Sequence, residues 1–283
     1  MSATPTVVTD AGTLRAALRA RRARGPVGFV PTMGYLHDGH ESLMQRARAT
    51  DATVVVSIFV NPTQFGPSED FSSYPRDLEA DVARCGRAGV DIVFAPTAEV
   101  MYPPGAVSIV RVDGVSGPLE GERRPGHFQG VATVVTALFN LVQPDTAYFG
   151  EKDWQQLAVI RQMVRDLHMP LSIVGVPTVR ERDGVAQSSR NVRLTPEARL
   201  AARGIPRAIA RVQQAFAQSE RRAEQLETLL ADALREEPLL QIDYAVVRDA
   251  ATLQPVTQVE ASSRILIAVR AGAVRLIDNA ALG

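Results

Sequence analysis

The stretch VGFVPTMGYLHDGH (27–40) decides the fold class of this 283-residue chain. Residues 27–30 are typical of a short buried strand that stops at Pro31, and a glycine-containing loop then leads into a helix that opens near His40. A strand, a tight loop and a helix in succession place backbone N–H groups and the positive helix end where a phosphate can bind. His37 and His40 add side-chain donors there, and they are two of only four histidines. The stretch therefore predicts a phosphate-binding loop.

Outward from this loop, strand and helix patterns alternate through the first two-thirds of the chain. Several apolar runs are continuous rather than alternating, as in VVVSIFV (54–60), which is expected of parallel strands covered on both faces. The predicted strands are 27–30, 54–60, 92–95, 147–149 and 171–176, and the predicted helices are 13–24, 41–50, 77–88, 130–142 and 155–168. The pattern predicts an α/β fold with a doubly wound, Rossmann-like parallel sheet that binds ligands at the carboxyl ends of its strands.

The pattern changes after about residue 178. A turn at Asp183 and Gly184 is followed by predicted helices over 196–218, with a break at Pro206, and over 223–236. Predicted strands over 242–247, 264–269 and 274–277 close the chain. We therefore expect a nucleotide- and substrate-binding domain over 1–178 and a smaller α+β lid domain over 179–283. The hinge would lie near Pro177, and QSSRN (187–191) would reach back over the nucleotide.

Composition limits the class of protein. Hydrophobic residues make up 46% of the chain, and 31 basic residues balance 31 acidic ones. A neutral chain does not carry the basic excess that nucleic acid requires. A single cysteine, Cys85, excludes an internal disulfide. We expect neither a signal peptide nor a membrane span, because no basic-then-apolar stretch opens the sequence and no apolar run approaches roughly 18 residues. The totals predict a soluble cytoplasmic protein without nucleic-acid or membrane partners.

One lysine is retained in a chain that otherwise uses arginine. Of the 31 Lys and Arg residues only Lys152 is a lysine, within FGEKDWQQL (149–157), so 30 are arginines. An arginine-rich composition can leave one lysine by chance. Alternatively, the position requires a compact, mobile charge that suits phosphate oxygens and that a guanidinium does not copy.

Ordered segments along nearly the whole chain carry a family resemblance. They are PTMGYLHDGH (31–40), SIFVNPTQFGPSEDFSSYPRD (57–77), LEGERRPGHFQGVATVV (119–135), YFGEKDWQQL (148–157), GVPTVRERDG (175–184), SSRN (188–191) and AVRLIDNA (273–280). With these segments the chain resembles the pantoate–β-alanine ligases, nucleotidyltransferases with a His-x-x-His signature. The resemblance implies ATP-dependent condensation of (R)-pantoate with β-alanine through a pantoyl adenylate, with Mg²⁺, in a homodimer.

The resemblance also implies an ATP site. Its residues would be Met33, Gly34, Tyr35, Leu36, His37, Asp38, Gly39, His40, Gly150, Glu151, Lys152, Asp153, Val179, Gln187, Ser188, Ser189 and Arg190. Four of them would be catalytic, namely His37, His40, Lys152 and Arg190, with His40 as the proton donor. Backbone groups at Val179 would read adenine. Gln187 departs from the apolar residue usual in the family, which predicts weaker ATP binding.

Two glutamines carry the substrate prediction. The resemblance places Gln64 and Gln156 on pantoate, and neutral amides can donate and accept without the desolvation cost of a buried ion. Asp81 resembles an acidic position near Mg²⁺, although a solvated helix face is an equal interpretation. Weaker candidates for the same pocket are Asn61, Tyr74, Arg124 and His127.

Less specific interpretations of these residues stay open. His37, Asp38 and His40 alone would fit a zinc site, but zinc needs three or four convergent ligands. Both histidines could be capping residues, Asp153 a helix cap and SSRN (188–191) an ordinary polar loop. At the level of function, the alternatives are a nucleotidyltransferase acting on another small acid and an ATP-binding regulatory module with a decayed site.

Overall fold

The computed structural model describes residues 4–67 and 71–283 of the chain. Residues 68–70, which belong to the motif over 57–77, lie outside the described part. The chain divides into two compact units, the first comprising Met1–Glu151 with Gln155–Pro177 and the second Lys152–Trp154 with Thr178–Gly283. The limit at Pro177 falls one residue before the expected domain boundary. The short segment Lys152–Trp154, which contains the single lysine, belongs to the second unit.

The first unit is built on a six-stranded parallel sheet. Its strands are β1 (Thr6–Val8), β2 (Val27–Thr32), β3 (Thr53–Ile58), β4 (Ile92–Phe94), β5 (Thr146–Gly150) and β6 (Ser172–Val176). The spatial order is β1-β4-β3-β2-β5-β6, so the sheet grows outward in both directions from the adjacent pair β2 and β5. This is the doubly wound order, with its switch point between β2 and β5. The predicted fold class is confirmed.

Helices cover both faces of this sheet. They are α1 (Ala11–Arg22), α2 (Asp38–Arg48), α3 (Leu78–Arg87), α4 (Ala98–Met101), α5 (Glu120–Arg123), α6 (His127–Val142) and α7 (Trp154–Asp166). On one face, Val54 and Val56 are fully buried in a cluster with Met44 of α2. On the other, Phe29 meets Phe139 of α6 edge to face, with ring centroids 6.3 Å apart. Two covered faces explain the continuous apolar runs of the strands.

The second unit packs three helices against an antiparallel sheet. Its helices are α8 (Pro196–Ala201), α9 (Gly204–Ala217) and α10 (Ala223–Arg235), and its strands, in spatial order, are β7 (Leu240–Asp249), β8 (Ser263–Ala271) and β9 (Val274–Ala281). Val212, Leu226 and Leu230 of the helices share a core with Ile267 and Val269 of β8. None of the described helices is long and apolar enough to cross a membrane.

One strand was missed, and two local predictions were wrong in detail. Strand β1 was not predicted, and α2 begins at Asp38, ahead of the predicted start. The break in the helix over 196–218 lies between Ala201 and Gly204, whereas Pro206 occupies the first turn of α9. Proline is tolerated in a first turn because the N–H that it lacks would have no helical partner there.

Candidate active site

The loop between β2 and α2 holds a sharply turned backbone. Gly34 and Tyr35 both adopt left-handed conformations, with φ of 84° and 51°. The Thr32 hydroxyl accepts from the Gly34 amide (3.2 Å) and donates to the carbonyl of Ser57 (2.7 Å). A Cβ at position 34 would lie 3.0 Å from Asp81 Oδ2, so only glycine fits without a shift. The loop is therefore held in one conformation at the carboxyl end of a switch-point strand.

Asp81 of α3 is the main anchor of this loop. Its Oδ2 accepts from the amide of Tyr35 (2.8 Å) and its Oδ1 from the amide of Leu36 (2.7 Å). Its side chain is buried, and burial raises the pKa of the carboxyl, while the two N–H donors act in the opposite direction. Both oxygens are thus engaged in holding the loop. Among the described residues no group of three or more His, Cys, Asp or Glu side chains is arranged to hold a metal ion, so the Mg²⁺ role of Asp81 stays a prediction.

The start of α2 orients the two histidine rings. His37 is the N-cap residue, and its Nδ1 accepts from the amide of Gly39 (3.2 Å). The Nδ1 of His40 accepts from the amide of His37 (3.2 Å), and the two ring centroids lie 4.1 Å apart. An accepting Nδ1 carries no proton, so the neutral form of each ring has its N–H at Nε2. Both rings are thereby preset as donors at the positive end of a helix.

Gln64 lies in a network of buried polar groups. Its Oε1 accepts from Asn61 Nδ2 (3.1 Å), and its Nε2 lies 2.9 Å from the sulfur of Met33. Asn61 Nδ2 also donates to the carbonyl of Gly130 (3.2 Å), and Asn61 Oδ1 accepts from the hydroxyl of Tyr102 (2.8 Å). Both amide side chains are buried, so their orientation is set by their neighbours rather than by solvent.

His127 and Arg124 join this network. His127 Nδ1 lies 2.9 Å from the carbonyl oxygen of Gln64, and its Nε2 lies 3.1 Å from Arg124 Nη1. Since a carbonyl only accepts and a guanidinium only donates, the ring carries its N–H at Nδ1. Tyr74 is buried and packs edge to face against Phe65, with centroids 5.9 Å apart. Three of the four weaker candidates thus contact Gln64 or one another.

The two adjacent glutamines of α7 have different surroundings. Gln155 is buried, where its Nε2 donates to the carbonyls of Val115 (3.0 Å) and Pro118 (2.7 Å) and its Oε1 accepts from the Glu120 amide (3.0 Å). It therefore braces the segment before α5. Gln156 is half-buried, and its substrate role stays a prediction. Sequence reasoning also missed Tyr102, because nothing in its local sequence indicates a partner 41 residues away.

In the second unit, Lys152 lies in a 3₁₀ turn over Glu151–Asp153, directly after β5. Its Nζ lies 3.7 Å from Asp153 Oδ1, and four-fifths of its side chain is covered. A partly buried ammonium beside one carboxylate, at the end of a switch-point strand, is suited to an anionic ligand.

The segment after β6 forms a short hairpin. The amide of Gln187 donates to the carbonyl of Val179 (3.0 Å), and a turn closes with the amide of Gly184 on the carbonyl of Glu181 (2.8 Å). Gly184 has a φ of 88°, so the predicted turn is confirmed. Ser188 follows as the cap of a 3₁₀ turn over Ser189–Arg193. The hairpin brings Val179 and Gln187 side by side, although they are 8 positions apart in sequence.

The comparison with known families decides the identity of the chain. A family model described as Pantoate-beta-alanine ligase matches residues 6–281. The chain belongs to the pantoate–β-alanine ligase family. Among curated family members, the pantothenate synthetase of Herpetosiphon aurantiacus is 53% identical over 274 residues, covering 96% of this chain and 98% of the relative. That of Pelotomaculum thermopropionicum is 51% identical over 271 residues, covering 95% and 96%.

Solved structures of pantoate–β-alanine ligases share the fold. A Thermus thermophilus structure matches with a TM-score of 0.94 at 52% identity, covering 98% of this chain and 99% of the other. A Francisella tularensis ligase, solved in complex with β-γ ATP and β-alanine, matches with a TM-score of 0.77 at 32% identity, covering 98% of each chain. The family resemblance of the sequence is confirmed.

Proposed function

We propose that the chain carries out the reaction of its family in two chemical steps. The carboxylate of pantoate attacks the α-phosphorus of ATP, and pyrophosphate leaves as the pantoyl adenylate forms. The amine of β-alanine then attacks the acyl carbon, which expels AMP and, after loss of a proton, leaves pantothenate. Adenylation is needed because a carboxylate is a poor acyl donor, whereas AMP is a far better leaving group than hydroxide.

The observation that carries this proposal is the pair of histidines fixed at the start of α2. Their Nδ1 atoms are occupied by amides of the helix cap, which directs donor capacity to Nε2. In nucleotidyl transfer a protein mostly positions groups and stabilises charge that grows on the phosphate oxygens. His37 and His40 would bind these oxygens, with His40 as proton donor, and the loop over 33–36 and Asp38 and Gly39 would line the nucleotide.

We assign complementary roles to the second unit. Lys152 and Arg190 would stabilise the developing charge on phosphate, with Ser188 and Ser189 as hydroxyl donors. Gly150, Glu151 and Asp153 would flank the ribose and phosphates. Val179 and Gln187 would face adenine, and their pairing in one hairpin supports a shared role.

Pantoate recognition would rest on Gln64 and Gln156. The amide of Gln64 is held by Asn61 and Met33, so it presents a fixed donor and acceptor to the hydroxyls or carboxylate of pantoate. Gln64 would also lie near β-alanine. The complex of the Francisella relative with β-γ ATP and β-alanine supports a nucleotide and β-alanine as substrates of this chain.

Magnesium is proposed as a companion of ATP. Mg²⁺ usually keeps several waters and takes its other ligands from phosphates and one or two carboxylates. Both oxygens of Asp81 already accept backbone N–H groups, so its carboxylate is poorly suited to bind the metal directly. Loss of activity on adding EDTA, with recovery on adding Mg²⁺, would establish the requirement.

The decisive experiment measures pantoate-dependent release of pyrophosphate, with and without β-alanine. We expect pyrophosphate with ATP and pantoate alone, and AMP with pantothenate once β-alanine is added. Lys152→Ala should lower the adenylation rate at least about a hundredfold, by loss of charge stabilisation. Pyrophosphate release that responds to another small acid but not to pantoate would favour the alternative nucleotidyltransferase, and no release with any acid would favour a regulatory module.

The oligomeric state and the cellular location of the protein remain proposals. We propose a homodimer, supported by the family resemblance, and light scattering of the purified protein would test it. We also propose a cytoplasmic location, supported by the single cysteine and by the biosynthetic role of the family. Cell fractionation would test the location.

A further inference from the structure

A network of polar side chains at the end of β9 surrounds the segment that holds Lys152. Asp278 and Asn279 are adjacent in this strand, and both are only 3% exposed. Successive residues of a strand point to opposite faces, and the contacts of these two follow that rule. Asn279 is directed at the turn over Glu151–Asp153, and Asp278 at the hairpin that precedes Ser188.

Asn279 holds the backbone of the lysine itself. Its Nδ2 donates to the carbonyl of Lys152 (2.7 Å), and its Oδ1 accepts from the guanidinium of Arg264. The same guanidinium stacks on the ring of Trp154, with its carbon 3.5 Å from the ring centroid, and the indole N–H donates to the carbonyl of Ala250 (2.8 Å). Lys152 and Trp154, the two ends of the segment Lys152–Trp154, are therefore both attached to strands of the second unit.

Asp278 keeps the end of β9 rigid around Asn279. Its carboxylate accepts two hydrogen bonds from the guanidinium of Arg180, at 2.7 and 3.0 Å, and one from the Asn279 amide (2.7 Å). Arg180 Nη1 also donates to the carbonyl of Gly184 (2.9 Å). A bidentate pair between a guanidinium and a buried carboxylate is geometrically specific, so the strand end has little freedom to shift.

We propose that Asn279 is a positioning residue for adenylation, acting through the backbone of Lys152. This inference rests on the proposed role of Lys152. A lysine ammonium lies at the end of a flexible four-carbon chain, so its average position depends on where the backbone starts that chain. The carboxamide of Asn279 fixes the Lys152 carbonyl, and Arg264 fixes the carboxamide. Reacting groups must be placed within a fraction of an ångström, and a misplacement of about 1 Å can lower a rate about a hundredfold.

The test is Asn279→Asp, which keeps an acceptor for Arg264 but removes the donor to the Lys152 carbonyl. We expect kcat of pantoate-dependent pyrophosphate release to fall at least about tenfold while KM for ATP changes less, because an interaction used mainly in the transition state is weakened. The matched control is Gln213→Glu. Gln213 also donates its amide to a backbone carbonyl of β9, at Ala281 (2.8 Å), and the same chemical change there should leave kcat within about twofold.

A double-mutant cycle separates positioning from general damage. In the Lys152→Ala background, Asn279→Asp should lower the rate no further, because the group that it positions is absent. Independent, multiplicative losses would overturn the inference, as would a wild-type rate for Asn279→Asp when Lys152→Ala is slow. A wild-type rate for Lys152→Ala would instead overturn the proposed role of the lysine. If Asn279→Asp does not fold, Asn279→Ala removes the donor without adding a charge and enters the same cycle.

Discussion

At the residue scale, Asp81 combines a buried carboxylate with two backbone N–H donors from the loop between β2 and α2. Burial is the larger effect, and the pKa of this carboxyl lies above its ordinary value of 3.8. The folded protein therefore binds the proton more readily than the unfolded chain. The stability that this group contributes is fully present below pH 3.8 and is lost as the pH rises through the pKa of the folded state.

The upward shift of the Asp81 pKa gives a prediction for Asp81→Asn. The asparagine offers only one acceptor, so we expect a loss of about 1–3 kcal/mol in the free energy of unfolding at low pH. The advantage of the wild type should shrink as the pH rises from 3.8. Urea unfolding at several pH values measures this difference in the free energy of unfolding, with Asp10→Asn, an exposed cap of α1, as the control. An advantage that grows with pH would show that the N–H donors outweigh burial.

Gln187 gives a prediction about the nucleotide. Its amide forms the hairpin contact to Val179, and that backbone bond survives any side-chain substitution except proline. Gln187→Met should tighten ATP binding by about fivefold, or about 1 kcal/mol, through one added apolar contact. Titration calorimetry measures the Kd, with Gln214→Met on the exposed side of α9 as the control. Unchanged binding would mean that position 187 does not touch adenine.

Single residues were predictable where local chemistry decided them. The histidine spacing of the loop and the turn at Gly184 depend on neighbours within a few positions. The surroundings of Gln155 and Gln156 were not predictable, because two adjacent helix residues differ only by about 100° of rotation. Which one faces the segment before α5 is decided by packing against residues 35 to 40 positions earlier.

At the element scale, α6 approaches the 3₁₀ turn over Pro62–Gln64 so closely that only glycine fits. A Cβ at Gly130 would lie 2.3 Å from the carbonyl oxygen of Thr63. We expect Gly130→Ala to lower the free energy of unfolding by about 1–3 kcal/mol through overpacking. Because the displaced turn carries Gln64, KM for pantoate should also rise.

Thermal unfolding and pantoate titrations of Gly130→Ala test both effects. The control is Gly12→Ala in α1, where the added Cβ would meet only the Asp10 side chain, at 3.2 Å. There alanine should be neutral or stabilise the helix by up to about 1 kcal/mol. A normal KM for pantoate in Gly130→Ala would argue that the turn does not position the substrate.

The predicted elements were those with a strong apolar pattern in the sequence. The five predicted strands of the parallel sheet all exist, and their ends lie within two residues of the expected ones. Strand β1 was missed because only Val8 of its three residues is buried, whereas the equally short β4 is buried throughout, and β1 exists because β4 offers it a partner. The break near Pro206 was displaced because proline suits a first turn as well as a break.

At the scale of the whole molecule, the single cysteine reports on the integrity of the first unit. Cys85 is fully buried in α3, and burial together with Asp81 raises the pKa of its thiol to about 12. The thiolate is the reactive form, so the native protein should resist a thiol reagent such as DTNB. We expect labelling to occur only as fast as the unit unfolds, and at once in urea. Rapid labelling of the native protein would reveal local opening of α3.

The sequence shows a change of pattern near residue 178, where the alternation of strands and helices stops. The assignment of Lys152–Trp154 to the second unit was not visible. It arises from contacts with Ala250, Arg264 and Asn279, which lie about a hundred residues further along the chain. No local pattern encodes a partner at that distance.

The backbone crosses from one unit to the other three times, after Glu151, Trp154 and Pro177. Gene fission at the last crossing would therefore not yield two self-sufficient halves. The amino-terminal half would keep Trp154 and the turn that contains Lys152, but without their partners in the second unit. The carboxyl-terminal half would keep Asn279 without the Lys152 carbonyl to which its side chain donates. A single recombination point cannot exchange the whole second unit, because Lys152–Trp154 precedes the rest of that unit in the chain. This segment and the strands that hold it must therefore be inherited together.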